Sequence, residues 1–443
     1  MAFLSRLARQ VQGLFSSPRT LARFPRSINT DFSVFQEGDR VFIQGKSPTL
    51  TKPLARGQKT DLRQGKLYHD QIIGRKVRES VQAHKGPEYR LSLPTLEEYI
   101  TLTPRLVTPI YPADANLIVS FLDIHIPPAA TAEGDAAQQP PLEILESGTG
   151  HGSLTLHLAR AIQAANPSPP PVPAGSQVQY VGDRPIQPEE TAAEKEKTPE
   201  SAEDGQHAVR QEQQEQWNTW RAQRNAVIHS VDISGKYSTH AEKIVRGFRR
   251  GIYAGNVDFY VGHVERWIAE QTARRQQDRA FNFGPLEPFL SHAILDMPSA
   301  HLRLPHVCPV LKQGGLLVVF MPSVTQIGDC MDLIRRQSLP LVMDKVVELG
   351  TGISSGRMWD LRHAVRKSRV EEPSLETASE TASETALETP LETASGKEPQ
   401  SGSSNQDVQN APGSQEDTVL VCRPKVGARV VGGGFVGIWR RTA

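Results

Sequence analysis

The chain has 443 residues, 38% of them hydrophobic and 22% charged, with 34 Gly and 33 Pro: length for two or three domains, but too little apolar content for all of it to pack. No run approaches the ~20 apolar residues of a membrane-spanning helix, and three distant cysteines, Cys308, Cys330 and Cys422, with no C-x-x-C pair exclude a disulfide framework and a structural zinc site. The formal net charge is only +1, a balance that the order of segments along the chain explains.

Residues 1–30 contain Arg6, Arg9, Arg19, Arg23 and Arg26, no acid, and Phe3, Leu4, Leu7, Val11, Leu14 and Phe15 at roughly helical spacing. This is the pattern of a mitochondrial targeting leader, and it predicts a matrix protein whose leader is removed; a disordered basic arm is the plain alternative. Residues 31–93 are short alternating runs between glycines and turn residues, which predicts a small β-barrel or sheet module. From Pro94 onward helices and strands alternate, beginning with a helix over Asp114–Leu122. Strands are predicted at Leu142–Leu145, Ala226–Val231, Val257–Val261, Ala293–Leu295, Gly315–Phe320 and Val342–Glu348, so residues 94–443 read as an α/β domain with a parallel sheet covered on both faces.

Three low-complexity inserts interrupt that domain, at 127–141, 165–216 and 371–417, and each is predicted to contribute nothing to a core. The last holds 11 acidic residues and one basic, with successive tetrapeptides beginning Glu-Thr from Glu376 to Ser395. The inserts hide a strongly basic remainder, which suits a polyanionic partner. Lys243, Arg246, Arg249 and Arg250, placed on one predicted helix, are candidate phosphate contacts; a solvated helix face is the alternative.

The first strand of the α/β domain runs into Glu146-Ser147-Gly148-Thr149-Gly150-His151-Gly152 and then into a helix whose Leu154, Leu158 and Ile162 share one face. A strand, a glycine-rich turn and a helix N-terminus make a nucleotide site, because backbone must approach the ligand and free N–H groups point at it. The dinucleotide fingerprint would need glycine at 153, where Ser153 stands, and Glu146 would repel a pyrophosphate but attract an ammonium group. Glu146, Gly148, Thr149, Gly150, Gly152, Ser153 and Leu154 are therefore the candidate cofactor residues. Asp232, ending the next strand, is placed to bind ribose hydroxyls, with a helix N-cap as the plain alternative. His263 ends the third strand, where an acid contacting adenine is common in methyltransferases, and is kept as a pocket-wall residue. Asp296, in Leu295-Asp296-Met297-Pro298, ends the fourth strand and is the candidate catalytic residue, also beside the cofactor: a carboxylate there can accept a hydrogen bond from an exocyclic amine and balance charge on an alkylated ring nitrogen. No metal ligand set is predicted.

The E-x-G-x-G-x-G loop resembles motif I of the S-adenosylmethionine-dependent methyltransferases. Taken with Pro94–Tyr99, Thr108–Ala115, Leu295–Pro298, Leu311–Gly315, Pro322, Gln326, Val347-Glu348 before Arg357-Met358-Trp359, and Arg423-Pro424 before Gly434-Phe435, the chain resembles the tRNA (adenine-N1)-methyltransferases that modify position 58, in a fungal-type mitochondrial form. The resemblance implies S-adenosyl-L-methionine as cofactor, an N-terminal β-barrel, a seven-stranded Rossmann-like sheet with its last strand antiparallel, and a tetramer, either homomeric or shared with a non-catalytic paralogue. It also implies that Asp296 meets the target adenine and that Tyr111 packs near the flipped base, as the second catalytic candidate. His151 inside the loop is unusual. Rival readings are a non-catalytic tRNA-binding partner subunit, an adenine-N1 methyltransferase acting on mitochondrial ribosomal or messenger RNA, and a nicotinamide oxidoreductase, which the glycine spacing disfavours.

Overall fold

The structure is a computed structural model that describes residues 27–45, 47–126, 140–182, 203–278, 287–350, 359–365, 418–424 and 433–443. The leader up to residue 26, most of the first insert, residues 183–202 of the second, the whole of the third and the Arg357-Met358 pair lie outside them. The described residues fall into two compact units. The smaller is a hairpin of β14 (Trp359–Val365) and β15 (Thr418–Pro424), paired antiparallel from Trp359↔Pro424 to Val365↔Thr418.

The larger unit opens with six short strands: β1 (Phe42–Gln44), β2 (Thr49–Leu50), β3 (Lys59–Asp61), β4 (Lys66–Tyr68), β5 (Ser80–Gln82) and β6 (Glu88–Ser92). They do not close into one ladder. A four-stranded antiparallel sheet, β2-β1-β6-β5, stands beside the hairpin β3-β4, joined to it by the bridge Lys66↔His84. Glycines allow this near-closure: a Cβ on Gly86 would lie 2.3 Å from the Gln64 carbonyl oxygen. Phe35, Val41, Ile43, Leu54, Leu67, Ile72 and Leu91 fill the module's core.

Helix α1 (Leu96–Leu102) follows, started by a capping box in which the Thr95 hydroxyl accepts from the Glu98 amide and the Glu98 carboxylate accepts from the Thr95 amide. Its buried Tyr99 donates its hydroxyl to the Ile244 carbonyl at 2.9 Å. Helix α2 (Pro112–Phe121) begins on a proline, which lacks only an N–H that would have no helical partner.

The central sheet runs β13-β16-β12-β11-β7-β9-β10-β8, from strands β7 (Leu142–Ser147), β8 (Gln179–Tyr180), β9 (Ala226–Asp232), β10 (Val257–Val261), β11 (Leu290–Leu295), β12 (Leu311–Met321), β13 (Leu341–Glu348) and β16 (Phe435–Arg441). Only β16 runs antiparallel to its neighbours β12 and β13. Seven strands were expected and eight are found, because the second insert supplies β8 at the edge, parallel to β10. Every residue of β9 is buried, as a strand covered on both faces must be. One face packs on α2, α3 (Ser153–Ala161) and α5 (Gly235–Gly247); the other packs on α6 (Val264–Asp278) and α7 (Val324–Arg336).

The reading of 165–216 as coreless is corrected on its described parts. Pro169, Pro170 and Pro173 are buried, and residues 203–221 form the 19-residue helix α4. Its last turn buries Trp217 and Trp220, with Trp220 filling the space left by Gly255, where a Cβ would be 2.3 Å from the indole. Composition averaged over the segment concealed two tryptophans at i and i+3, enough apolar area to dock a polar helix by one end.

Candidate functional site

The site is built where β7, β9 and β11 end together. Gly148, with φ +98°, donates its amide to the Val231 carbonyl, and the Asp296 amide donates to the Ser147 carbonyl at 2.8 Å. A Cβ on Gly148 would lie 1.9 Å from the Asp296 carbonyl oxygen, so only glycine lets the two strand ends meet. Gly152, φ +82°, is the N-cap of α3 and faces Ala241 of α5, 3.0 Å from where its Cβ would be. The glycine turn thus brings the backbone of Asp296 and the first turn of α3 to one place.

Glu146 is almost completely buried and accepts hydrogen bonds from Thr155 Oγ1 at 2.6 Å and Ser230 Oγ at 2.7 Å. Burial pushes its carboxyl up to about 7, with the Asp296 and Asp232 charges adding to the rise and the two hydroxyls opposing it. Burial likewise raises Asp296 to about 7, with Asp232 again contributing. Asp232 accepts the Gly150 amide at 3.1 Å and the Ser234 amide at 2.8 Å. The helix N-cap itself is Ser234, whose hydroxyl accepts from Tyr237, so Asp232 closes the glycine turn instead. Three carboxyl groups that cannot all ionise cheaply converge here, and a cationic ligand relieves the repulsion. The donor set fits a molecule that joins a cationic amino-acid end to a nucleoside: Glu146 and the glycine turn at one end, Asp232 for ribose hydroxyls at the other.

The remaining sequence-predicted residues divide by what their side chains touch. Thr149 turns its hydroxyl inward to Ser230 at 2.8 Å, Ser153 donates to the Ile110 carbonyl at 2.6 Å, and Leu154 is buried in the core between sheet and helices. What these three can offer a ligand is therefore their backbone. His263 is exposed at the end of β10. Tyr111 caps α2, and the Arg105 guanidinium stands 5.5 Å from its ring centre. Residues 104–111 form a strap over the glycine turn: Val107 lies 3.5 Å from where a Gly150 Cβ would be, and Ser153 ties down Ile110. His151 is buried, with Nε2 3.4 Å from Thr103 Oγ1 and Nδ1 3.3 Å from His240 Nε2. Burial, then His240 and Arg105, lowers it to about 4, so it stays neutral and braces the turn against α5 and the strap.

Thr155, Ser230, His240 and Arg105 were missed. Ser230 was legible, since it lies two residues before Asp232 on one strand face; the others come from separate elements. The four basic residues placed on one helix are also corrected. Helix α5 ends at Gly247. Arg246 pairs with Glu242 and donates to the Pro173 and Gly175 carbonyls. Arg250 grips Asp39 through two hydrogen bonds, 2.8 and 2.7 Å, and also donates to the Asp31 and Val34 carbonyls, while Arg249 donates to Pro94. Arg249 and Arg250 therefore dock the N-terminal module; of the four, only Lys243 has an exposed side chain. Among the described residues there is no group of three or more side chains able to hold a metal and no helix long and apolar enough to cross a membrane.

No family model matches the chain. It is similar to the curated tRNA (adenine(58)-N(1))-methyltransferases TrmI of two strains of Thermus thermophilus, 24% identical to each over 309 residues, which is 70% of this chain and 82% of each relative. Among solved structures it resembles an S-adenosylmethionine-dependent O-methyltransferase of Thermotoga maritima, TM-score 0.51 and 13% identity, covering 93% of this chain and 96% of that one. The fold is that of the S-adenosylmethionine-dependent methyltransferases.

Proposed function

We propose that this chain is an S-adenosylmethionine-dependent methyltransferase that modifies N1 of adenine 58 in the T-loop of mitochondrial tRNA, working in the matrix as a tetramer of its own copies or with a non-catalytic paralogue. The observation that carries the reading is the packing of Asp296 on Gly148, which sets a carboxyl group beside the turn that suits the cofactor. When bound, S-adenosylmethionine supplies an electrophilic methyl group on a sulfonium. Glu146 and the amides of the turn hold the cationic amino-acid end, and Asp232 takes the ribose.

Reaching N1 requires the base to leave the stack, at a cost of a few kcal/mol. Tyr111, steadied by Arg105, offers a face for the extruded ring. Asp296, once ionised, accepts a hydrogen bond from the exocyclic amine and balances the positive charge that grows as N1 is alkylated; the work of the protein is orientation and electrostatics. The basic leader supports the mitochondrial setting.

The test is transfer of labelled methyl from S-adenosylmethionine to unmodified mitochondrial tRNA, with mitochondrial ribosomal and messenger RNA as competing acceptors. Asp296→Ala is expected to lower the rate by about 100-fold or more while cofactor still binds. Equal labelling by both proteins would remove Asp296 from the mechanism. Labelling of another RNA in preference to tRNA would move the acceptor, and labelling of none would end the methylation reading.

A further inference from the structure

The order of strands, β7-β9-β10-β8 on this side of the sheet, fixes where the base of a bound nucleoside must go. Strand ends stand ~4.8 Å apart. With the amino-acid arm over the turn after β7 and the ribose at Asp232 on β9, the base extends away from β7, over the ends of β10 and β8. The exposed His263 supplies no carboxylate there.

The ring at that place is Tyr180. Its strand pairs parallel with β10, Tyr180 opposite Val261 and Val261 opposite Asp232; the Val181 amide donates to the Val261 carbonyl at 2.9 Å. Tyr180 therefore arrives at the carboxyl edge two strands from the ribose acid. Its hydroxyl stands 3.3 Å from where a Cβ of Gly235 would be, with the Val261 side chain at 3.9 Å from the same point, so the ring lies across the amino end of α5, beside the turn that carries Ile233. Tyr180 is 44% exposed and Ile233 is 68% exposed. Two large apolar surfaces left open at the rim of a nucleoside site form a platform for a flat ring.

We propose that Tyr180, delivered by the insert as an added edge strand, stacks against the adenine ring of S-adenosylmethionine and is a binding and specificity residue of this chain. The inference rests on the reading that the cleft binds this cofactor. A π-face holds a base without reading its edge, and one such contact is worth about tenfold in affinity.

Calorimetric titration of the full chain with S-adenosylmethionine and with S-adenosylhomocysteine tests it, using wild type, Tyr180→Ala and Tyr180→Phe. Tyr180→Ala is expected to weaken both ligands about tenfold and to leave the melting temperature, kcat at saturating cofactor and KM for tRNA unchanged. Tyr180→Phe is expected to bind within about twofold of wild type, since it keeps the ring. Unchanged binding by Tyr180→Ala overturns the proposal and leaves the cofactor reading intact. A fall in melting temperature with equal loss in both variants makes Tyr180 a structural residue and also overturns it. Binding of neither ligand by the wild type overturns the cofactor reading itself, and this inference with it.

Discussion

Glu146 and Asp296 are carboxyl groups whose charge is controlled by burial. Unfolded, both ionise near pH 4; folded, both do so at about 7. The folded chain therefore holds more protons between those values, and the stability this contributes is complete below the unfolded value and lost as pH rises through 7. A cationic ligand favours the ionised forms and offsets that loss. The rise in melting temperature produced by S-adenosylmethionine is accordingly expected to be larger at pH 8 than at pH 6, and the difference smaller for S-adenosylhomocysteine, which lacks the sulfonium; equal rises at both pH values would refute the coupling. That Glu146, Asp232 and Asp296 would matter was legible, because each ends or nearly ends a strand of a readable α/β pattern. That Thr155 and Ser230 clamp Glu146 was not, since a hydroxyl nine residues away and another on the neighbouring strand meet only after the helix has folded back on the sheet.

At the scale of elements, the second insert shows how a polar segment gains a place in a fold. Helix α4 is held at its end by Trp217 and Trp220, whose ring centres are 5.5 Å apart, by the Trp220 indole donating to the Pro167 carbonyl, and by Arg221 and Arg224 on Asp258. Arg224 contacts both oxygens of that carboxylate, at 2.9 and 2.8 Å, and Arg221 reaches one at 2.8 Å. Burial opposes ionisation of Asp258, yet the two guanidiniums, Arg224 first, hold it far below the usual carboxylate range; this contribution is present above the unfolded value and lost as pH falls below it. Arg224→Ala is expected to cost about 3 kcal/mol, because it leaves a buried charge half compensated, and denaturant unfolding measures it. A loss under about 0.5 kcal/mol, the level of an ordinary surface change, would mean that the helix docks by its tryptophans alone. The turn Arg249-Arg250-Gly251, all three at positive φ, is the counterpart on the N-terminal side: its strained backbone is held by the grip of Arg250 on Asp39.

For the whole molecule, acid stability is set by buried histidines. His151, His157 and His292 are each lowered to about 4, chiefly by burial. Nδ1 of His157 donates to the Ser153 carbonyl at 2.7 Å and its Nε2 has no hydrogen-bond partner, so the ring resists a second proton. The unfolded chain binds protons at these sites below about 6.5 while the folded chain does not, and stability therefore falls as pH drops from 6.5 toward 4, against the opposite trend of Glu146 and Asp296. His157→Leu is expected to take up about one proton fewer on unfolding in that window, read from the pH dependence of denaturant midpoints; an unchanged slope would show that His157 does not titrate on unfolding. By itself the sequence determined the α/β class, the strand that enters the glycine turn, the acids at the strand ends and the resemblance that points to methyl transfer, because periodicity, glycine spacing and strand ends are local properties. Only the tertiary structure decided that an insert completes the sheet, that basic residues assigned to phosphate instead clamp a module, and which hydroxyls and rings face the carboxylates. Those are contacts between residues far apart in the chain, and no local pattern encodes which distant partner a side chain will meet once the core has closed.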